Sequence, residues 1–205
     1  MNKNFVVFDG IDGSGKSTIM GHISEGDYFA RALFTREPKS IILTCESIYN
    51  VLINPELDLC PETELALVLA SRAENINKVI LPGLQKSHVF CDRFSESTMA
   101  YQGAGRGLGT YNIRDIVYNT MFYTQPDLTL IFDLPVEEAI KRSKSRGEQD
   151  KFDAETTGFM QRLRDYYLSI EGHGRGYVAI IDASLPVEQV VENTIKVLKR
   201  ELEWN

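Results

Sequence analysis

The sequence predicts an α/β fold in which helices cover both faces of a five-stranded parallel sheet. The first observation is the regular alternation of short apolar runs with helical segments, a pattern typical of parallel sheets. The second is a glycine-rich turn that joins the first apolar run to the first helix. The third is the absence of repeats, low-complexity tracts and linker-like composition, so we expect one domain over residues 1–205.

The strands are predicted by apolar runs that are rich in β-branched and aromatic residues. The first run leads directly into the glycine-rich turn, and Pro126 precedes the fourth. The predicted strands span 5–8, 31–36, 88–92, 128–132 and 177–181.

Between these runs, helical spacing of apolar residues predicts helices, and glycine or proline marks their ends. Gly26 ends the first helix, Pro82 and Gly83 are expected to break the third, and 103–109 reads as a glycine-rich turn. The predicted helices cover 16–25, 40–53, 62–81, 95–102, 111–123, 136–145, 154–171 and 186–203.

The turn at 10–17 has the spacing G-x-x-x-x-G-K-S. Its glycines let successive backbone N–H groups converge on one anion, and the following helix adds the positive end of its dipole. Lys16 can reach the outer phosphates of a nucleotide, and the Ser17 hydroxyl can hold Mg²⁺. The expected phosphate-binding residues are Gly10, Gly13, Ser14, Gly15, Lys16, Ser17 and Thr18. The turn predicts a P-loop NTPase fold, but it does not distinguish a kinase from a GTPase switch or a motor.

Charged residues also follow the ends of the predicted strands. Ligands of parallel sheets bind at the carboxyl ends of the strands, so these residues predict a shared site. They are Asp9, Asp12, Arg36, Asp92, Arg93 and Asp133.

The net charge of −7 argues against a nucleic-acid partner. No apolar run is long enough for a membrane span, and no signal-peptide pattern is present, so we expect a cytoplasmic protein with no membrane partner. Cys45, Cys60 and Cys91 lack paired spacing and are expected to be free thiols.

Several longer motifs are similar to those of the thymidylate kinase family, and the resemblance covers nearly the whole chain. They are F-D-G-I-D-G-S-G-K-S-T at 8–18, F-T-R-E-P at 34–38, D-R-F at 92–94, S-T-M-A-Y-Q-G at 97–103, P-D-L-T-L at 126–130 and I-D-A at 181–183. The motifs at 34–38, 92–94 and 97–103 are far more specific for this family than the phosphate loop is.

The resemblance implies transfer of the ATP γ-phosphoryl group to deoxythymidine monophosphate (dTMP). It implies that Arg36 and Arg93 clamp the acceptor phosphate, that Asp12 binds the sugar 3′-hydroxyl, and that Asp92 joins Ser17 in holding Mg²⁺, directly or through water. The catalytic residues it implies are Lys16, Asp12, Arg36, Arg93, Arg146 and Lys151.

For the acceptor, the resemblance implies that Arg72 contacts a base carbonyl and that Tyr101 excludes a 2′-hydroxyl. The implied acceptor residues are Asp12, Arg36, Val68, Arg72, Arg93, Thr98, Tyr101 and Gln102.

The charged segment at about 142–153 resembles the family's lid. There Arg142 would stack on adenine, and Arg146 or Lys151 would approach the phosphates. The family is also homodimeric, and the apolar faces of 64–80 and 111–123 could form the interface.

Three departures from the family pattern concern base choice and the lid. Val68 replaces the usual phenylalanine that stacks on thymine, Lys151 replaces an arginine, and Lys39 and Ser40 replace two glycines. Another pyrimidine deoxynucleotide, such as dUMP or a 5-modified form, therefore stays an alternative acceptor. A GTPase switch is a remote alternative because no N-K-x-D motif is present, and a non-catalytic scaffold is disfavoured by the intact phosphate loop.

Overall fold

A computed structural model describes residues 3–26, 29, 31–120, 124–145, 156–171 and 176–202. The strands are β1 (Phe5–Asp9), β2 (Leu33–Arg36), β3 (Val89–Asp92), β4 (Leu128–Asp133) and β5 (Tyr177–Asp182). Within these described ranges, five strands form one parallel sheet in the order β2-β3-β1-β4-β5. The predicted fold class is confirmed.

Both faces of the sheet are buried, because successive side chains of a strand point in opposite directions. Phe5 and Val7 of β1 pack on one side with Ile76. Val6 and Phe8 pack on the other side, within the larger hydrophobic cluster. The central strand therefore has no solvent-facing side, which explains why it is apolar at every one of its first four positions.

Most helices begin and end within a few residues of the predicted positions, although the predicted ends at 121–123, 154–155 and 203 lie outside the described residues. The helices are α1 (Lys16–Glu25), α2 (Leu43–Ile53), α3 (Pro61–Asn75), α4 (Leu81–Leu84), α5 (Ser95–Thr98), α6 (Thr110–Asn119), α7 (Val136–Ser145), α8 (Thr157–Ser169) and α9 (Val187–Glu201). The second helix begins at Leu43, three residues later than predicted, and the Ser40 side chain before it donates to Asn75 of α3 at 2.7 Å.

The predicted break at Pro82 is wrong. Helical structure continues from α3 through a wide π-helical turn, Ile76–Ile80, into α4. The Leu81 N–H donates to the carbonyl of Ile76, five residues back. Proline is tolerated in the first turn of a helix, and the wide turn gives Pro82 such a position.

The glycine-rich turn predicted at 103–109 is also partly wrong, since a π-helical turn over Met99–Gly105 extends α5. Gly105 is small for a packing reason: a Cβ there would lie 2.5 Å from the Phe159 ring of α8. Because Gly105 has no side chain, α8 can pack closely against the π-helical turn over Met99–Gly105.

Among the described residues, no helix has the length and apolar character needed to cross a membrane.

The phosphate loop packs directly on α7, and this contact gives a stability prediction. Gly13 and Gly15 both have positive φ, at 84° and 87°. A Cβ on Gly13 would lie 2.3 Å from the Ala139 carbonyl oxygen, whereas one on Gly15 would meet nothing within 4 Å. We expect Gly15→Ala to lower the free energy of unfolding by about 1 kcal/mol, for the left-handed backbone alone. Gly13→Ala should lower it by roughly 1–3 kcal/mol more, because the backbone must move.

Denaturant unfolding of both variants and the wild type measures this difference. Equal losses in the two variants would contradict the close contact between the loop and α7.

Candidate active site

The site lies where β1, β2 and β3 end. Their parallel register pairs Arg36 with Asp92 and Phe8 with Asp92. The phosphate loop follows β1 immediately, so it lies at the same edge as these two charged side chains.

Lys16 is buried under the phosphate loop and begins α1. Its ammonium donates to the carbonyls of Gly10 at 2.9 Å and Ile11 at 3.0 Å. Burial, aided by the nearby positive charge of Arg93, lowers the pKa of Lys16 to about 8. Because this ammonium is poorly solvated, an approaching phosphate would interact with it strongly.

Ser17 and Asp92 form a pair suited to a hard cation. The Ser17 hydroxyl donates to Asp92 Oδ2 at 2.7 Å, and Asp92 Oδ1 is buried without a hydrogen-bond partner in the described part of the chain. Mg²⁺ typically takes one or two protein oxygens, with water and phosphate oxygens completing its shell. These two residues therefore fit the expected ion. The described residues offer no cluster of three or more carboxylate, histidine or cysteine ligands that would hold a metal without phosphates.

A cavity beside the phosphate loop brings together every residue expected to bind the acceptor. The predicted residues that line it are Asp12, Arg36, Val68, Arg72, Arg93, Thr98, Tyr101 and Gln102. The residues that the sequence interpretation did not assign to it, or named only as motif members, are Glu37, Pro38, Tyr49, Leu52, Phe94 and Ser97.

Asp12, Arg93 and Tyr101 form a connected group at one side of this cavity. Arg93 donates to Asp12 and to the Tyr101 hydroxyl, which itself donates to Asp12. The Arg93 guanidinium lies 4.9 Å from the centre of the Tyr101 ring. Arg93 has a φ of 70°, which is uncommon for a residue with a side chain. The Asp12 carboxylate offsets the charge of Arg93. An anionic ligand would compete with Asp12 for the Arg93 guanidinium.

Arg36 connects the acceptor cavity with the phosphate loop. It is exposed and makes no ion pair with the described residues. It lines the acceptor cavity and also a wider groove that contains Ser17 and Asp92. Its charge therefore faces both sides of the site.

Glu37 is the main residue that the sequence interpretation missed. It is buried and forms a 2.8 Å ion pair with Arg72, which is also buried. Burial raises the pKa of Glu37, and Arg72 opposes that rise. Its place directly after Arg36 at a strand end was an available signal. Tyr49 gave no such signal, because nothing in the spacing of α2 distinguishes this ring from a core residue.

The remaining candidates lie outside this cavity. Asp133 is held by Arg164 through contacts of 2.7 and 2.9 Å, which is a structural ion pair. Arg142, at the end of α7, donates to the Ala183 carbonyl at 3.1 Å, and Thr18 is exposed on α1. Arg146 and Lys151, the two proposed lid cations, lie outside the described residues.

Comparison with known proteins gives consistent matches along nearly the whole chain. A family model described as thymidylate kinase matches residues 8–194. A thymidylate kinase of Pseudomonas fluorescens is 38% identical over 203 residues, which cover 97% of this chain and 96% of that protein. One of Kosmotoga olearia is 38% identical over 197 residues, covering 94% and 93% of the two chains. The crystal structure of thymidylate kinase from Ehrlichia chaffeensis has a TM-score of 0.74 at 32% identity, covering 97% of this chain and 100% of that one.

The charges around Lys16 predict opposite effects of two neutralising variants. We expect the Lys16 side chain to titrate near pH 8 in protein without nucleotide. Asp12→Asn removes an anion that raises this pKa, so the pKa should fall. Arg93→Gln removes a cation that lowers it, so the pKa should rise.

NMR titration of the lysine side chains, with Lys16→Arg for assignment, measures these shifts. Glu192→Gln, at an exposed position on α9, is the control and should leave the Lys16 pKa unchanged. Shifts of the same sign in both test variants would contradict this description of the site.

Proposed function

The chain belongs to the thymidylate kinase family, and we propose that it transfers the γ-phosphoryl group of ATP to dTMP. An oxygen of the acceptor 5′-phosphate attacks the γ-phosphorus, and the bond to the bridging β-γ oxygen breaks. The products are ADP and dTDP. The observation that carries this proposal is the cavity lined by Arg36, Arg93 and Arg72, which opens beside the phosphate loop.

The arrangement of cations supports the reaction because two anionic substrates must approach each other. Lys16 would stabilise the phosphates of ATP, and Arg36 and Arg93 would clamp the acceptor phosphate. The transition state spreads negative charge over the equatorial oxygens of the transferred group. Cations fixed on both sides of that group lower the barrier without reorganising during the reaction.

The cavity also supports roles in recognising the sugar. Asp12 can accept a hydrogen bond from a 3′-hydroxyl, since a carboxylate has several lone pairs. Tyr101 is buried at the cavity wall, and we propose that its ring excludes a 2′-hydroxyl. Thr98 and Gln102 are buried beside it and would contact the base and sugar.

Ser17 and Asp92 would hold Mg²⁺ with the ATP phosphates. The ion would supply charge neutralisation between the β- and γ-phosphates. The buried, unpartnered Oδ1 atom of Asp92 is the main support for this assignment.

We also propose that residues 1–205 form a single domain with a lid at about 142–153. The family match from 8 to 194 and the single sheet, whose described strands lie between residues 5 and 182, support one domain. In the lid, Arg142 would stack on adenine, and Arg146 and Lys151 would act as cations near the phosphates.

A homodimer in the cytoplasm remains part of this proposal. On α3, Leu65 and Leu69 are buried in the chain's own core, so they are not available to a partner. On α6, Tyr111 and Ile116 are 82% and 51% exposed and could form an interface. The three free cysteines are consistent with a reducing compartment.

An acceptor panel tests the proposed function directly. We expect ATP-dependent ADP release to be fastest with dTMP, compared with dUMP, dCMP, dGMP and ribothymidylate. Lys16→Ala should lower kcat roughly 10³-fold, as is typical when a group that stabilises transition-state charge is removed. A coupled assay measures these rates. No dTMP-dependent ADP release would end the proposal, and faster turnover of dUMP or a 5-modified form would establish the alternative acceptor.

Val68 predicts a gain of acceptor affinity on substitution. It is half-buried in the cavity wall, where the family usually has a stacking ring. We expect Val68→Phe to lower the KM for dTMP about fivefold or more, since stacking of a base on an aromatic ring contributes about 1–3 kcal/mol. The KM for ATP should not change.

Val68→Ile adds volume without a ring and is the matched control. If both variants behave alike, stacking is not what the wild-type cavity lacks.

A further inference from the structure

A buried ion pair forms part of the wall of the acceptor cavity. Glu37 follows β2 and Arg72 comes from α3, and their side chains are only 2% and 1% exposed. The Arg72 Nε atom lies 2.8 Å from Glu37 Oε2. A buried ion pair usually contributes little more to the free energy of folding than apolar residues of the same size would. The pair formed by Glu37 and Arg72 is therefore expected to have a role besides stability.

Three contacts fix the plane of the Arg72 guanidinium. Nε donates to Glu37, and Nη2 donates to the Phe94 carbonyl and the Thr98 hydroxyl, each at 2.8 Å. The group also lies over the Phe94 ring, 5.0 Å from its centre. Because a guanidinium is planar, holding Nε and Nη2 determines where Nη1 points.

Nη1 is the part of this group left for a ligand. It is buried and has no hydrogen-bond partner among the described residues, although Arg72 lines the acceptor cavity. A buried donor without a partner is costly, and a ligand that accepts its hydrogen bond removes that cost.

Glu37 is itself held from several directions. Its Oε1 accepts from the Asn75 amide at 3.2 Å, and Asn75 in turn accepts from Thr35 and Ser40. The Glu37 backbone N–H donates to the Asp92 carbonyl at 2.9 Å. The two carboxylate oxygens therefore serve two different donors, which a glutamine, with one acceptor oxygen, cannot do.

We propose that Glu37 is a positioning residue that sets base specificity by aiming Arg72 Nη1 at a carbonyl oxygen of the acceptor base. This inference rests on the proposed function and deepens it. An arginine can only donate, so a held Nη1 favours a ring carbonyl and disfavours an amino group in the same place. Glu37 touches no reacting atom, and its effect reaches the acceptor through Arg72.

The test compares two acceptors that differ at one position of the ring. In 5-methyl-dCMP an amino group replaces the thymine carbonyl at C4. We expect Glu37→Gln to lower kcat/KM for dTMP roughly 10- to 100-fold. The value for 5-methyl-dCMP and the KM for ATP should stay within about twofold. The ratio between the two acceptors is the readout, because a loss of folded protein would lower both values in parallel.

Glu96→Gln is the matched control. Glu96 is another buried carboxylate, held by Tyr118 and Tyr166, and it does not line the cavity. This variant should leave the ratio between the acceptors unchanged. In an Arg72→Met background, Glu37→Gln should cause no further change in the ratio, because the group it positions is gone.

A parallel loss with both acceptors, or an unchanged ratio, would overturn the role of Glu37. If Glu37→Gln does not fold, Asn75→Leu is measured in the same way. It removes one of the contacts holding the carboxylate and keeps the ion pair, so a smaller shift of the ratio in the same direction is expected, and no shift would again overturn the proposal. Absence of wild-type turnover with dTMP would instead overturn the proposed function, so the two failures are distinguishable.

Discussion

The site depends above all on the parallel register of three neighbouring strands. Because β1, β2 and β3 run in the same direction, their carboxyl ends meet at one edge and bring Arg36 next to Asp92. The phosphate loop follows β1 at this edge, which is where ligands of parallel sheets bind. A shift of β2 by one residue would turn Arg36 to the opposite face, away from the acceptor cavity.

A second constraint is electrostatic, since the site gathers several charges in a poorly solvated region. Asp12 offsets Arg93, and Glu37 offsets Arg72, so the protein folds without isolated charges at either position. Arg36 stays exposed and needs no such partner. These two guanidiniums are thus held in fixed positions, and fixed charges stabilise a developing charge better than mobile ones do.

The differences between expectation and structure come from contacts that a linear sequence does not reveal. The sequence predicts that Pro82 ends a helix, but the wide turn just before it makes its helical position tolerable. The sequence predicts a turn at Gly105, but the small size of this residue permits the close approach of Phe159. Pro82 is exposed and is accommodated by the π-helical turn before it, whereas Gly105 is buried and its small size is needed for packing against α8.

The sequence by itself determined the sheet and the phosphate loop, and it picked out eight residues that the structure brings to the wall of one cavity, because those features carry strong local patterns or motif spacing. Periodicity identifies strands and helices, and a motif identifies the chemistry that its spacing permits. Only the tertiary structure decided that Glu37 holds Arg72 and that Tyr49 borders the cavity. The physical reason is that both facts depend on side chains from separate elements meeting in space, and no spacing along the chain encodes such a meeting.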